Sequence, residues 1–221
     1  MDILGSSLLG YFLGGINPSY LFGRLKGLDI RRIGSGNAGA SNAMIMLGRT
    51  VGVISAAFDI FKAYLAYRLA ARLFPGYALA GITAGTMCII GHVFPVFMDF
   101  QGGKGLACLA GVALAYDPRV FLVLLAIEAV LAFAVNYICV VPTTASVMFA
   151  IVYGVQTKSL AGTLIFGLAV AVILYRHMEN FRRIRQGIEV HLSWLWDRKN
   201  EIERVKGNYD GSYGDRGVEH S

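Results

Sequence analysis

The chain has 221 residues, of which 56% are hydrophobic and only 15% are charged, and its formal net charge is +6. Soluble domains carry about 25% charged residues, so this composition leaves too little polar surface for a soluble monomer. It indicates an integral membrane protein and excludes a wholly disordered chain. Three cysteines, an odd number, argue against a disulfide-stapled secreted domain. We expect buried thiols in apolar surroundings and no metal site.

Apolar segments that could cross a bilayer as helices follow one another along the chain. They predict about seven spans, at 3–23, 50–73, 77–98, 105–116, 120–135, from Pro142 onward, and 160–175. The 105–116 segment is short for a full crossing. We therefore expect residues 1–190 to form one all-α transmembrane domain. Residues 191–221 are expected to form a cytoplasmic tail that is disordered from Gly207 onward.

The basic residues predict the orientation of these spans. With the N-terminus outside, fifteen of the twenty Lys and Arg residues fall in cytoplasmic loops or in the tail, as the positive-inside rule requires. Met1-Asp2 leads directly into the first span, so no cleavable signal is expected. Within the second span, Asp59 and Lys62 are three residues apart and are expected to form a helical ion pair.

The first of three polar segments on the predicted cytoplasmic side runs from Arg32 to Asn42. Its Gly34-x-Gly36-x-x-Gly39 matches the dinucleotide fingerprint, which needs a preceding strand that is not expected here, so we reject a dinucleotide site. The glycines still allow close approach of backbone amides to an anion. A flexible polar loop is an equal alternative. Candidate hydrogen-bonding side chains include Ser35, Asn37 and Asn42.

The second polar segment, residues 91–105, contains Gly102-Gly103-Lys104, which resembles a phosphate grip. It is not a Walker A loop, because no Ser or Thr follows Lys104. We expect Lys104 to be functional, since the three glycines around it serve no helix. His92, in contrast, is expected to be a satisfied histidine within a helix.

The third polar segment, residues 176–183, lies at the inner end of the last span. His177 and Asn180 are three apart and share one helix face. We expect the nearby arginines to be ordinary interfacial cations, namely Arg182, Arg183 and Arg185. Amide-rich loops together with Lys, His and Asn side chains suggest a phosphate-bearing ligand at the cytoplasmic interface.

Taken in order, the three segments resemble the motifs of the PlsY family of acyl-phosphate:glycerol-3-phosphate acyltransferases. The matching stretches are Gly34 to Asn42, Phe97 to Gly105, and Arg176 to Arg183 followed by Gly187 and Glu189. The resemblance covers roughly residues 5 to 190. It implies acyl transfer from acyl phosphate to the 1-hydroxyl of glycerol 3-phosphate, giving lysophosphatidic acid and phosphate for phospholipid synthesis.

The resemblance also implies roles for individual residues in motif loops at 31–45, 97–108 and 176–189. Catalytic roles fall to Ser35, Lys104 and His177, which together with Asn180 would hold glycerol phosphate. A structural role falls to Glu189. Substrate-binding roles fall to Asn37, Asn42, Gly102, Gly103 and Asn180, with the Gly102-Gly103 backbone against the phosphate. No metal or other cofactor and no nucleic-acid partner are expected. The protein is expected to be a monomer in the cell membrane, with its active site facing the cytoplasm.

The expected chemistry fits these residues because acyl phosphate is already an activated mixed anhydride. No protein nucleophile is required, so positioning and charge stabilisation would supply most of the rate. Either His177 or a phosphate oxygen of the donor could take the hydroxyl proton.

The sequence also departs from the family pattern. Ile45 stands where the family usually has Arg and Gln101 where Lys is usual, while Cys108 replaces Thr. Asn136 and Cys139 stand where Arg and Ser are common. These departures leave open a paralogue that acylates another polar acceptor. A transporter of a small phosphorylated solute is a weaker alternative, because no repeat is found and the candidate ligands cluster at one membrane face.

Overall fold

The computed structural model describes residues 1–197, 200, 203 and 204. Within these residues the chain forms α-helices joined by loops and 3₁₀ turns, and no strand occurs. The α-helices are α1 (Asp2–Gly15), α2 (Pro18–Leu25), α3 (Ala40–Met46), α4 (Arg49–Leu73), α5 (Ala80–Val93), α6 (Leu106–Tyr116), α7 (Pro118–Val135), α8 (Val140–Thr157) and α9 (Leu160–Arg185). The disorder predicted from Gly207 onward lies outside the described residues.

Five helical segments of the described chain are long and apolar enough to cross a membrane. They are α4, residues 80–98 including a 3₁₀ turn at Val96–Met98, α7, α8 and α9. Leucine, valine and phenylalanine side chains of α7 remain exposed, as on a helix that faces lipid. The all-α membrane class is confirmed, whereas the count of seven spans and their orientation stay predictions.

The first apolar segment differs from the prediction, because residues 3–23 do not form one helix. Helix α1 ends at Gly15 and α2 begins at Pro18, whose ring lacks the N–H that a continuing helix needs. Asn17 caps α2 by accepting a hydrogen bond from the Tyr20 N–H at 2.9 Å. The Asn17 side chain also donates to the Ala38 carbonyl at 2.8 Å, which ties the break to the first polar loop.

Helix α5 lies at the centre of the bundle and is the most buried of the five candidate spans. It packs closely on α1 through glycines: an added Cβ at Gly10 or Gly14 would lie 2.1 Å from a carbonyl oxygen of α5. Likewise, an added Cβ at Gly91 of α5 would lie 2.1 Å from the Tyr11 carbonyl oxygen. Small residues allow such backbone contact between membrane helices. The C-terminal end of α5 is thereby fixed, and the Lys104 loop starts there.

Candidate functional site

The first and second polar segments lie side by side in the structure, and Arg31 joins them. Its guanidinium donates to the Met98 carbonyl at 2.8 Å and pairs with Asp99 at 3.1 Å. Arg31 also pairs with Asp29 at 2.8 Å, and its hydrogen bonds lower the pKa of Asp29 to about 2. The loop that carries Ser35 is therefore anchored to the loop that carries Lys104.

Asn42 shapes the Ser35 loop from inside. Its side chain is 3% exposed, and its amide nitrogen lies 3.0–3.1 Å from the carbonyls of Ile30, Ile33 and Asn37. Its side-chain oxygen accepts from the Ser35 N–H at 3.0 Å. The amide of Asn42, predicted to bind substrate, is thus occupied by the loop backbone. The Ser35 residue itself is exposed at the loop surface, and Asn37 is half-buried.

Gly102 and Gly103, whose backbone the resemblance places against the phosphate, use their N–H groups within the protein. The Gly102 N–H donates to the Val93 carbonyl at 3.0 Å, and the Gly103 N–H donates to the His92 carbonyl at 3.1 Å. Both glycines are buried. An added Cβ at Gly102 would lie 2.0 Å from the His92 oxygen, so these residues are glycines because the loop packs directly on α5.

Lys104, Asn180 and Glu189 form a hydrogen-bonded chain. Lys104 Nζ donates to Asn180 Oδ1 at 2.5 Å, and Asn180 Nδ2 donates to Glu189 Oε1 at 2.6 Å. Burial lowers the pKa of Lys104 below its usual range, and the negative charge of Glu189 opposes that shift. The predicted sites Lys104 and Asn180 are therefore brought together, with Glu189 holding Asn180 in place.

His177 lies three residues before Asn180 on α9 and is only 2% exposed. Its Nδ1 lies 2.8 Å from the Ile173 carbonyl oxygen. A carbonyl can only accept, so Nδ1 carries the proton of this hydrogen bond and Nε2 keeps its lone pair in the neutral ring. Next to it, Arg176 donates to the Gly102 carbonyl at 3.4 Å, which links α9 to the Lys104 loop.

A cleft of about 380 Å³ opens between the Ser35 loop and the end of α9. Its lining consists of Gly34, Ser35, Glu179, Arg182, Arg183, Gln186 and Ile188. The two arginines were expected to be ordinary interfacial cations, yet they face the same cavity as Ser35. The sequence did contain a signal for a role of these arginines in the site. They follow Asn180 by two and three residues and therefore lie in the same helical turn. Lys104 and His177 lie outside this lining.

The positions that depart from the family pattern have distinct surroundings. Ile45 is 52% exposed on α3. Asn136 has left-handed backbone at the end of α7, where its side-chain oxygen accepts from the Ser193 N–H at 3.0 Å and its carbonyl from the Leu192 N–H at 2.8 Å. Asn136 therefore anchors the segment that follows Glu189.

Comparison with known proteins decides the family. A family model described as glycerol-3-phosphate acyltransferase matches residues 4–187 of this chain. The chain belongs to the glycerol-3-phosphate acyltransferase family. The predicted family is thereby confirmed.

Two named relatives of this family resemble the chain over nearly their whole length. A glycerol-3-phosphate acyltransferase of Bacillus velezensis is 36% identical over 189 residues, which are 85% of this chain and 96% of that relative. Glycerol-3-phosphate acyltransferase 1 of Oceanobacillus iheyensis is 37% identical over 202 residues, covering 88% and 97%.

Solved structures of PlsY (YgiH), an integral membrane glycerol 3-phosphate acyltransferase, share this fold. The glycerol 3-phosphate form aligns with a TM-score of 0.80 at 30% identity and covers 88% of this chain and 98% of that one. The lysophosphatidic acid form aligns with a TM-score of 0.76 at 29% identity, covering 86% and 95%.

Proposed function

We propose that this protein transfers a fatty acyl group from acyl phosphate to the 1-hydroxyl of glycerol 3-phosphate, giving lysophosphatidic acid and inorganic phosphate. The observation that carries the proposal is the contact of Lys104 with Asn180, which joins two motif loops beside the arginine-lined cleft of Ser35. Family membership supports the reaction. The glycerol 3-phosphate and lysophosphatidic acid forms of the PlsY structures support the acceptor and the product.

Two groups of cations suit the two phosphates of these substrates. Lys104 and Arg176 lie at the junction of the second and third segments, and Arg182 and Arg183 line the cleft with Ser35. A charge-assisted hydrogen bond contributes about 1.5–3 kcal/mol, so each group can hold one phosphate. Because Lys104 does not line the cleft of Ser35, we assign that cleft to glycerol 3-phosphate. We assign the Lys104 junction to the phosphoryl group of the donor, in place of the expected contact of Lys104 with glycerol phosphate.

The remaining predicted residues divide into ligand contacts and positioning residues. Asn37 stays a candidate for a hydrogen bond to substrate. Asn180 stays one only through the second N–H of its amide, since Lys104 and Glu189 take its oxygen and its first N–H. Asn42, Gly102 and Gly103 act by shaping the two loops, because the Asn42 side chain and the N–H groups of both glycines bond within the protein. Glu189 acts through Asn180, which is the structural role expected for it.

The reaction needs one bond to form and one to break. The acceptor oxygen bonds to the acyl carbonyl carbon, and the bond from that carbon to the phosphate oxygen breaks, so inorganic phosphate leaves. The hydroxyl proton goes to His177 Nε2 or to a phosphate oxygen of the donor. Positioning and cationic stabilisation then supply the rate without a protein nucleophile or a cofactor.

The proposed location follows from the charge distribution. Most Lys and Arg residues lie in the first loop and the tail, which by the positive-inside rule supports a site at the cytoplasmic face of the cell membrane. We further propose that the protein acts there as a monomer on acyl phosphate and glycerol 3-phosphate.

One observation favours a second acceptor: Ile45, where the motif resemblance leads us to expect arginine, is exposed and offers no charge. Phosphate release from palmitoyl phosphate by the purified protein in lipidic medium tests both candidates. We expect release with glycerol 3-phosphate, and a lower KM for it in Ile45→Arg. Release with a different polar alcohol but none with glycerol 3-phosphate would establish the second acceptor instead.

A further inference from the structure

Three ionisable side chains that belong to neither proposed phosphate site meet in the protein interior. Asp59 and Lys62 on α4 are 2% and 1% exposed, and His92 at the end of α5 is 3% exposed. Lys62 Nζ lies 2.6 Å from Asp59 Oδ1 and 3.1 Å from His92 Nδ1. The expected ion pair of Asp59 and Lys62 is confirmed. His92 belongs to the same cluster, because its Nδ1 lies 3.4 Å from Asp59 Oδ1.

Lys62 also holds the break between α1 and α2. Its ammonium donates to the carbonyls of Gly14 at 2.9 Å and Ile16 at 2.6 Å. The Gly14 carbonyl has no helical partner because Pro18 lacks an N–H. The Ile16 carbonyl has none because the Tyr20 N–H donates to the Asn17 side chain. The ammonium thus satisfies two buried carbonyls on one side and forms an ion pair with the Asp59 carboxylate on the other.

The cluster resembles a metal site but already contains its cation. Asp59, His92 and Cys108 offer ligand atoms within 4.8 Å of one another. The Lys62 ammonium contacts two of these three residues, so it supplies the positive charge that a metal ion would bring. A buried charge without a partner is strongly destabilising, which makes Asp59 and Lys62 depend on each other.

His92 connects this cluster to the Lys104 loop. Its carbonyl accepts the Gly103 N–H at 3.1 Å. On the other side of the ring from Lys62, an added Cβ at Gly103 would lie only 2.1 Å from His92 Nε2. The ring is therefore held at Nδ1 by the cluster and packs at Nε2 against the residue that precedes Lys104.

We propose that the buried Asp59–Lys62–His92 cluster positions Lys104, with His92 as its contact to the loop. This assignment rests on the proposed function only for the statement that Lys104 binds substrate. Movement of the ring displaces Gly103 and breaks the 2.5 Å contact of Lys104 with Asn180. His92 is thus a positioning residue for the reaction and touches no substrate.

Competitive labelling of lysines with acetic anhydride, read by mass spectrometry, tests this without any substrate. In His92→Leu we expect Lys104 to be acetylated roughly tenfold faster, because loss of a hydrogen bond of about 1–1.5 kcal/mol changes an opening equilibrium by that factor. In His92→Asn, which keeps a polar group near Nδ1, the increase is smaller. The exposed Lys158 is the internal reference, and Thr86→Val on the same buried helix is the matched control.

A second variant keeps the test decisive if His92→Leu fails to fold. Replacing both charges in Asp59→Leu/Lys62→Met leaves no lone buried charge, and such replacements are often tolerated. Faster labelling of Lys104 in this folded double variant supports the proposal, and labelling equal to that of the parent chain overturns it. If the proposed function alone is wrong, the labelling change persists although no phosphate is released from palmitoyl phosphate.

Discussion

Lys104 donates a hydrogen bond of 2.5 Å to Asn180, a residue 76 positions later in the chain. The contact joins the loop after α5 to the end of α9. Glu189 holds Asn180 from its other side at 2.6 Å. A half-buried ammonium in this position has a fixed direction, and it can act on a phosphate without first being ordered.

Removing the Lys104 charge tests the proposed donor site. Lys104→Met should lower kcat/KM for acyl phosphate by roughly 10- to 150-fold, the equivalent of a lost charge-assisted bond of about 1.5–3 kcal/mol. Phosphate release measured over a range of palmitoyl phosphate concentrations gives this value. Lys158→Met, which removes an exposed lysine between α8 and α9, should leave it unchanged. A full-rate Lys104→Met enzyme would remove Lys104 from the site.

The two cleft arginines should govern the affinity for glycerol 3-phosphate. Arg182→Met and Arg183→Met should each raise its KM by roughly tenfold or more, because a phosphate loses a charge-assisted partner. Steady-state kinetics at saturating acyl phosphate measure the effect. Arg185→Met removes a neighbouring exposed arginine that does not line the cleft. Equal effects of all three substitutions would mean that only the general positive charge matters.

The pH dependence of the reaction should report the charge of Lys104. Burial lowers the pKa of Lys104, so the ammonium is lost at a lower pH than for an exposed lysine, and activity should fall as pH rises through that value. Glu189 raises and Arg183 lowers this pKa. Glu189→Gln should therefore shift the alkaline limb of kcat/KM to lower pH, and Arg183→Met should shift it to higher pH. Shifts in the same direction would contradict the assignment.

Adding one methyl group at Gly103 should disrupt the Lys104 loop. The new Cβ would lie 2.1 Å from His92 Nε2, so either the loop or the ring must move. We expect Gly103→Ala to lower kcat by up to about a hundredfold, the effect of a displacement near 1 Å. Gly167→Ala on α9 meets no atom within 4 Å and should retain full activity. Comparable losses of kcat in both variants would show that the loss does not arise from the contact of Gly103 with His92.

Much of the fold was predictable because membrane helices are encoded by long apolar segments. The predicted boundaries at 50–73 and 105–116 agree closely with α4 and α6. The break of the first segment was missed since Asn17 carries no charge and hydropathy does not register a missing N–H. Its signal was the Asn-Pro pair, which favours a turn or a helix start.

The site was predicted as a set of residues, but not with all of their roles. Residue spacing placed His177 and Asn180 on one helix face, and the structure brings Asn180 to Lys104. Spacing cannot show which acceptor a backbone amide will meet, so Gly102 and Gly103 were assigned to the phosphate although α5 takes their N–H groups. Likewise, Arg182 lines the cleft only because the Ser35 loop lies next to the end of α9, and residue spacing does not reveal such a tertiary contact.

The most direct test of the central claim is the stoichiometry of the reaction with purified protein in lipidic medium. The protein is given palmitoyl phosphate and glycerol 3-phosphate, and lysophosphatidic acid and inorganic phosphate are both quantified over time. The account predicts that the two products form in equal amounts, that omission of either substrate stops lysophosphatidic acid formation, and that Lys104→Met slows both together. Lysophosphatidic acid formed only from an acyl thioester, or phosphate released without acylation of any acceptor, would contradict it.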